Sequence, residues 1–180
     1  MQAHIFAEGA NTTAENRDCT VKEYYQGLFS IVAGLSDELS EVAETRLHVL
    51  SKEYGVIGGD EIMATIHQKE NGPVGNDRRT EQAKSELLDS SAEADVMVIL
   101  LSTYVFDKTV AEVWEDLVDA AKPESIWCIS AARSSLDGLN FGELEAKDCT
   151  VLTYRRVGVA RIGSETRDAL LERVERKANQ

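Results

Sequence analysis

The sequence predicts a three-layer α/β fold, a mainly parallel twisted sheet with helices on both faces, Rossmann-like or flavodoxin-like in kind. Three observations carry that prediction. Short apolar runs alternate with amphipathic ones for most of the chain, the pattern of β–α–β units. The stretch Asp95 to Leu101 (DVMVILL) holds six consecutive apolar residues, as a central strand buried on both faces requires. The 180 residues, 43% hydrophobic, are enough for one ordinary core, so a single domain over 1–180 is expected.

The elements follow in order. Ala3 to Ala7 is a first strand, and Glu8 to Thr13 a loop of turn-forming residues. Val21 to Ala33 places Tyr25, Leu28, Phe29 and Val32 at i, i+3, i+4 and i+7, one face of a helix, although Gly27 and Gly34 interrupt it. Ser36 to Thr45 predicts a second helix with Ser36 as its N-cap. Arg46 to Leu50 is the second strand, ending at Ser51; Gly55 to Asp60 is a turn, and Asp60 to Gln68 a short helix. Lys69 to Arg79 (KENGPVGNDRR) mixes glycine, proline and charge and predicts a surface loop.

Thr80 to Ser91 is expected to be a helix capped by Thr80, with Ala83, Leu87 and Leu88 inward. After the Asp95 strand, Asp107 to Ala121 predicts a long helix capped by Asp107, its apolar stripe formed by Val110, Val113, Trp114, Leu117 and Ala121. Pro123 stops it. Ser125 to Ser130 is a further strand, and the polar stretch through Ser134, Ser135, Asp137 and Gly142 a loop. Cys149 to Tyr154 and Val157 to Ile162 are the last two strands, and Ser164 caps a final helix with Leu170, Leu171 and Val174 inward.

Charge is the unusual bulk property. Asp and Glu number 32 against 19 Lys and Arg, a net charge of −13. A carboxylate-rich, lysine-poor surface fits a halophilic host, in which solvent salt screens self-repulsion over about 3 Å at 1 M. It argues against binding nucleic acid through a broad basic face. No run approaches the roughly 20 apolar residues of a membrane span, and the N-terminus lacks signal-peptide character. The cytoplasm is the expected compartment. Cys19, Cys128 and Cys149 show no paired spacing, and Cys128 sits in a strand as a small hydrophobe. No metal site and no cofactor are predicted.

In open α/β sheets a ligand sits beyond the carboxyl ends of the strands. Three expected strands end in serine, at Ser51, Ser102 and Ser130, and polar groups follow: Lys52 and Tyr54, Tyr104, Arg133 and Asp137. If the strands are parallel neighbours, these converge on one cleft suited to an anionic or hydrogen-bonding ligand; serine at a strand end also closes turns without any ligand. The phosphate-loop, dinucleotide and nucleophile-elbow motifs are absent. His4 and His48 read as core or edge residues; His67, Asp60 and Asp137 are the candidate acid–base groups. Arg155, Arg156 and Arg161 form a local basic island, either for an anion or for pairing with nearby acids.

The segments Tyr25-Gln26-Gly27, Ser51-Lys52-Glu53-Tyr54-Gly55-Val56-Ile57 and Ser102-Thr103-Tyr104-Val105 occur in an order that resembles the YaaA-like group of small α/β domains. That group includes the YaaA peroxide-stress proteins and archaeal and phage domains, and is akin to a domain of archaeal archaeosine synthases. The resemblance covers roughly Val21 to Ala121. Where such domains often carry a Cys-Ser-x-x-Lys-like loop after the first strand, this chain has Ala7-Glu8-Gly9-Ala10-Asn11. The resemblance implies nucleic-acid-related biology: DNA protection or the handling of modified bases.

The expected function is therefore binding of a nucleotide, base or nucleic acid at the strand ends. Ser51, Lys52, Tyr54 and Gly55 form the expected centre, with Tyr25, Gly27, Ser102, Tyr104 and Arg133 around it. The alternatives are a nucleoside or glycosyl-transfer enzyme using the same cleft, and a flavodoxin-like flavin-binding or protein-interaction module.

Overall fold

The computed structural model describes residues 1–69 and 75–180. Among them, six strands form one sheet: β1 (Gln2–Glu8), β2 (Glu44–Ser51), β3 (Gly55–Gly58), β4 (Val96–Leu100), β5 (Ile126–Ala131) and β6 (Thr150–Arg155), in the order β3-β2-β1-β4-β5-β6. All neighbours are parallel except the β2–β3 hairpin. The five parallel strands, counted along the chain, thus lie in the order 2-1-3-4-5 of flavodoxin-like sheets. The chain passes from β1 to β2 on one side and crosses back from the β2–β3 hairpin to β4 on the other, so the topological switch point falls between β1 and β4.

The pleat divides the core in two. Ala3, Ile5 and Ala7 of β1 face one layer, with Val49, Val98 and Cys128 beside them. Against this face pack α1 (Val21–Tyr24), α2 (Phe29–Ser40), α3 (Met63–Lys69) and α9 (Ser164–Ala178), through Phe29, Val32, Leu35, Met63, Leu170 and Val174. Phe6, Leu50, Met97, Ile99 and Trp127 face the other layer. That layer holds α4 (Asn76–Glu93), α5 (Thr103–Lys108), α6 (Trp114–Ala120), α7 (Arg133–Asp137) and α8 (Gly142–Ala146). All five residues of β4 are buried, as its unbroken apolar run requires. Trp114 and Trp127 form an edge-to-face pair at 6.1 Å in this core. Burial pushes the Cys128 thiol up to about 12, which keeps it an inert hydrophobe.

Several boundaries differ from expectation. The helix expected over Val21 to Ala33 breaks at Tyr25, whose backbone is extended, and Gly27 takes a φ of +65°. Thr20 caps the first piece in a capping box with Glu23. Ser36 is not a cap: it is buried inside α2, whose apolar period runs on through Val32, Leu35 and Leu39. Gly55 to Gly58 is a strand rather than a turn, because the apolar pair Val56–Ile57 closes a hairpin onto β2. The outward amides of this edge strand are occupied: Val56 N–H donates to Gln82 Oε1 (3.2 Å) and Gly58 N–H to Glu61 Oε2 (2.6 Å), which blunts the edge against further pairing.

The expected loop Lys69 to Arg79 lies partly on residues 70–74, outside the described residues, while Asn76 to Arg79 form the first turn of α4. Thr80 is therefore inside that helix, bonded back to the Asp77 carbonyl. The helix expected over Asp107 to Ala121 is two, α5 and α6, parted at Thr109; Asp107 belongs to α5 and accepts from Ser135 Oγ at 2.8 Å. The stripe Val110, Trp114, Leu117 and Ala121 is buried nonetheless, since burial follows the period whatever the helix breaks. The stretch after β5 forms the short helices α7 and α8 rather than a loop. Val157 to Ile162 is not a strand. Arg156 N–H makes the last ladder bond, to Ala131 O, Gly158 turns with φ +63°, and Val157 and Val159 are exposed. Gly163 rather than Ser164 occupies the cap position of α9. Among the described residues, no helix is long and apolar enough to cross a membrane.

Candidate functional site

A cleft of about 650 Å³ opens at the carboxyl ends of β1, β2 and β4, at the switch point. Its walls are the loop after β1 (Glu8 to Thr13), the turn after β2 (Ser51 to Glu53), Ser102 after β4, the segment Tyr24 to Gln26, Arg79 of α4, and the turn holding Arg156 and Arg161.

The β1 loop is stapled to Tyr24 to Gln26: Ala14 N–H donates to Tyr24 O (2.8 Å) and Gln26 N–H to Thr12 O (2.9 Å). These bonds hold Tyr25 extended, so its ring crosses the cleft floor and its hydroxyl donates to Ser51 Oγ at 3.1 Å. Ser51 Oγ also accepts from the amides of Glu53 and Tyr54, at 3.2 Å each. Burial raises the Tyr25 pKa and the Ser51 contact lowers it, for a net rise, so the phenol stays protonated. Gly9 passes directly over this ring; a Cβ there would lie 2.7 Å from it.

Two arginines hold the loops together. Arg161 donates to the carbonyls of Glu8 (2.9 Å) and Gly9 (3.3 Å), with its guanidinium 5.8 Å from the Phe29 ring centre. Burial lowers the Arg161 pKa, opposed by the Glu8 carboxylate. Arg156 donates to Leu101 O (2.6 Å) and Ala160 O (3.1 Å). The basic island thus holds main-chain carbonyls at these two positions rather than acids. Glu8 closes the switch point by accepting from Ser102 N–H at 2.6 Å.

Arg79 differs from both. Its side chain is buried, at 2% exposure, and its Nε has no hydrogen-bond partner. Among the described residues no carboxylate forms an ion pair with it. Among the described residues, the cleft wall contains four cations, Lys52, Arg79, Arg156 and Arg161, against two carboxylates, Glu8 and Glu53. That local excess of two positive charges sits in a chain whose net charge is −13.

The sequence-derived site residues divide. Ser51, Lys52, Tyr25 and Ser102 line the cleft together. Tyr54 is buried and faces a second groove with Asp60; its hydroxyl meets His67 Nδ1 at 3.0 Å. Gly55, with φ +78°, has the Gln82 amide packed where a side chain would go, so a protein group already takes the space its missing Cβ leaves. Gly27 and Tyr104 do not line the cleft, although the neighbours Gln26 and Leu28 do. Arg133 pairs with Asp137 at 3.5 Å, both exposed, on α7. Ser130 is fully buried and bonds the Arg161 carbonyl. Of the acid–base candidates, Asp60, His67 and Asp137 all lie outside the cleft lining. Glu8 and Arg79 were not anticipated. Glu8 stands at the first strand's end, where ligands gather; Asn76-Asp77 ahead of Arg78-Arg79 is a helix-start signal that the Gly-Pro pair of KENGPVGNDRR obscures.

Among the described residues, no group of histidine, cysteine and carboxylate side chains is arranged to hold a metal ion. No protein-family model, no curated protein and no solved structure matches the chain.

Proposed function

We propose that this protein binds a nucleotide, free or within a nucleic acid, in the cleft at the carboxyl ends of β1, β2 and β4. The observation that carries the reading is the reversal of charge: a wall with two more cations than carboxylates in a chain of net charge −13. Such a cleft focuses a positive field on a small anion while the rest of the surface repels polyanions. A duplex held along a broad face is therefore disfavoured, and a nucleotide entering one crevice is favoured. The resemblance to YaaA-like domains points to the same ligand chemistry, and its segments at Tyr25, Ser51 and Lys52 supply lining residues.

The test is ligand-induced thermal stabilisation, with nucleobases, nucleosides, nucleotides, flavins and short oligonucleotides at matched ionic strength. Free ligand at about 100 times its Kd adds about 2.7 kcal/mol to stability. A nucleotide should raise Tm, and Lys52→Ala should weaken that shift while leaving the unliganded Tm in place, since Lys52 is exposed. Equal binding by the variant, or a response to flavins alone, would overturn the reading.

A second reading, group transfer at the glycosidic carbon of a nucleoside, draws on Glu8, a carboxylate at the switch point within the cleft wall. It requires turnover of a nucleoside substrate that Glu8→Gln abolishes.

A further inference from the structure

We infer that Arg79 is the anchor for a phosphate monoester, so that the cleft's ligand class is the nucleoside monophosphate rather than the nucleoside or base. The inference rests on the proposed cleft and deepens it. A guanidinium stays charged at every working pH and carries five donors in a planar fork. In protein interiors such a charge is paired or hydrogen-bonded. Arg79 is at 2% exposure, its Nε has no partner, and no described carboxylate pairs with it. Arg79 is part of the cleft wall, so a ligand entering there is placed to supply the acceptor that its Nε lacks within the protein. The fork matches two oxygens of a phosphate in bidentate fashion.

The other cations sharpen the choice of anion. Arg156 and Arg161 direct N–H groups at the carbonyls of Leu101, Ala160, Glu8 and Gly9, so the fold already fixes both guanidiniums and commits two of the five donors of each. Lys52 is exposed in the cleft wall and makes no ion pair among the described residues. Arg79 and Lys52 are the two wall cations whose side chains make no hydrogen bond or ion pair among the described residues, and two such charges suit a dianionic head group. The wall also holds the exposed apolar side chains of Leu28 and Val159, at 48% and 72% exposure, and the ring of Tyr25. Apolar surface of that kind accepts the face of a base. A charged head and a planar apolar body together describe a nucleoside monophosphate.

The experiment is titration calorimetry on the full chain with the four common ribonucleoside 5′-monophosphates, their parent nucleosides and inorganic phosphate, at one ionic strength. For the preferred base, the monophosphate should bind at least tenfold more tightly than its nucleoside. In Arg79→Gln that advantage should fall to within about twofold, with nucleoside affinity retained; Arg79→Lys should keep part of it. The Tm of unliganded Arg79→Gln should hold or rise, because removing a buried charge without a partner relieves a cost. A lower Tm with the phosphate advantage intact would make Arg79 a structural residue and overturn the inference. Nucleoside and monophosphate binding equally would overturn it while leaving the cleft reading standing. Inorganic phosphate binding as tightly as any monophosphate, and losing affinity in Arg79→Gln, would keep the Arg79 site and overturn the nucleotide reading. No binding by any of these ligands would overturn both.

Discussion

Two polar clusters sit on the same pair of central strands, and they are built in opposite ways. Along β1 and β2, within the second core layer, His4 Nδ1 meets His48 Nε2 at 2.9 Å, and His48 Nδ1 meets Glu86 Oε2 at 2.7 Å. His4 Nε2 lies 3.2 Å from Glu93 Oε1, an electrostatic contact without hydrogen-bond alignment. Phe6 stacks on His48 at 4.3 Å. Helix α4 supplies both acids; the Glu86 end of the row is hydrogen-bonded, while His4 Nε2 faces Glu93 without a hydrogen bond. At the carboxyl ends of the strands, the same helix supplies Arg79, whose Nε has no hydrogen-bond partner and which makes no ion pair among the described residues. The histidine row meets the protein's own acids; the buried guanidinium meets none among the described residues, and in the proposed function the ligand supplies its counter-charge.

The largest effect belongs to the histidine row. Burial, and then the neighbouring His48, lower the His4 pKa from 6.5 to about 4, with Glu93 opposing. The groups facing His4 are His48, Glu93, Arg46 and Glu44. With its folded pKa below its unfolded one, His4 favours the folded state in full above about pH 6.5. The unfolded chain takes up the proton first as pH falls, so stability declines between pH 6.5 and 4 and levels off below that. The span corresponds to about 3 kcal/mol. Urea denaturation at stepwise pH should show this loss in the wild type and a shallower one in His4→Asn. Identical slopes in the two proteins would show that the His4 pKa is the same in the folded and unfolded chain, so that burial does not hold this ring neutral.

The next effect separates the arginines. Arg161→Ala removes donors from the carbonyls of Glu8 and Gly9 and its contact with Phe29. Leaving buried acceptors without partners costs about 1–3 kcal/mol each, and water reaching the cleft holds the total to about 2 kcal/mol. Arg161→Ala should therefore lower Tm where Arg79→Gln does not. Equal losses would erase the distinction between an arginine that builds the cleft and one that serves its ligand.

That distinction is also where sequence reasoning stops. The strands were legible because two-sided burial leaves an unbroken apolar run, as in Val96 to Leu100, and a parallel sheet with helices on both faces followed from alternation. Part of the cleft was legible by rule, since Ser51, Lys52 and Ser102 follow directly on strand ends. The rest depends on strand order, which alternation leaves open. Only the adjacency of β1 and β4 sets Glu8 against Ser102, and only the return of the chain after β6 brings Arg161 to the Glu8 carbonyl, across 153 residues. Local pattern was misleading where backbone chemistry overrode it: Val157 and Val159 alternate like a strand, yet Gly158 turns the chain and leaves both exposed. The Gly-Pro pair likewise masked the helical start that buries Arg79.

The smallest effect is at Tyr25, which belongs to both sides of the contrast. Its hydroxyl donates to Ser51, whose Oγ also receives the Glu53 and Tyr54 amides. Tyr25→Phe keeps the ring, and with it the contact that Gly9 permits by lacking a Cβ. The Ser51 oxygen keeps two donors, so no buried group is left without a partner, and the loss should be about 1 kcal/mol, the net worth of one hydrogen bond. If Tyr25 acts only as part of the fold, nucleotide affinity in Tyr25→Phe follows stability and changes less than twofold. If its hydroxyl turns to the ligand on binding, affinity falls by about tenfold with the same small change in Tm. Measuring both quantities on one variant therefore decides whether the cleft floor is fixed before the ligand arrives or is completed by it.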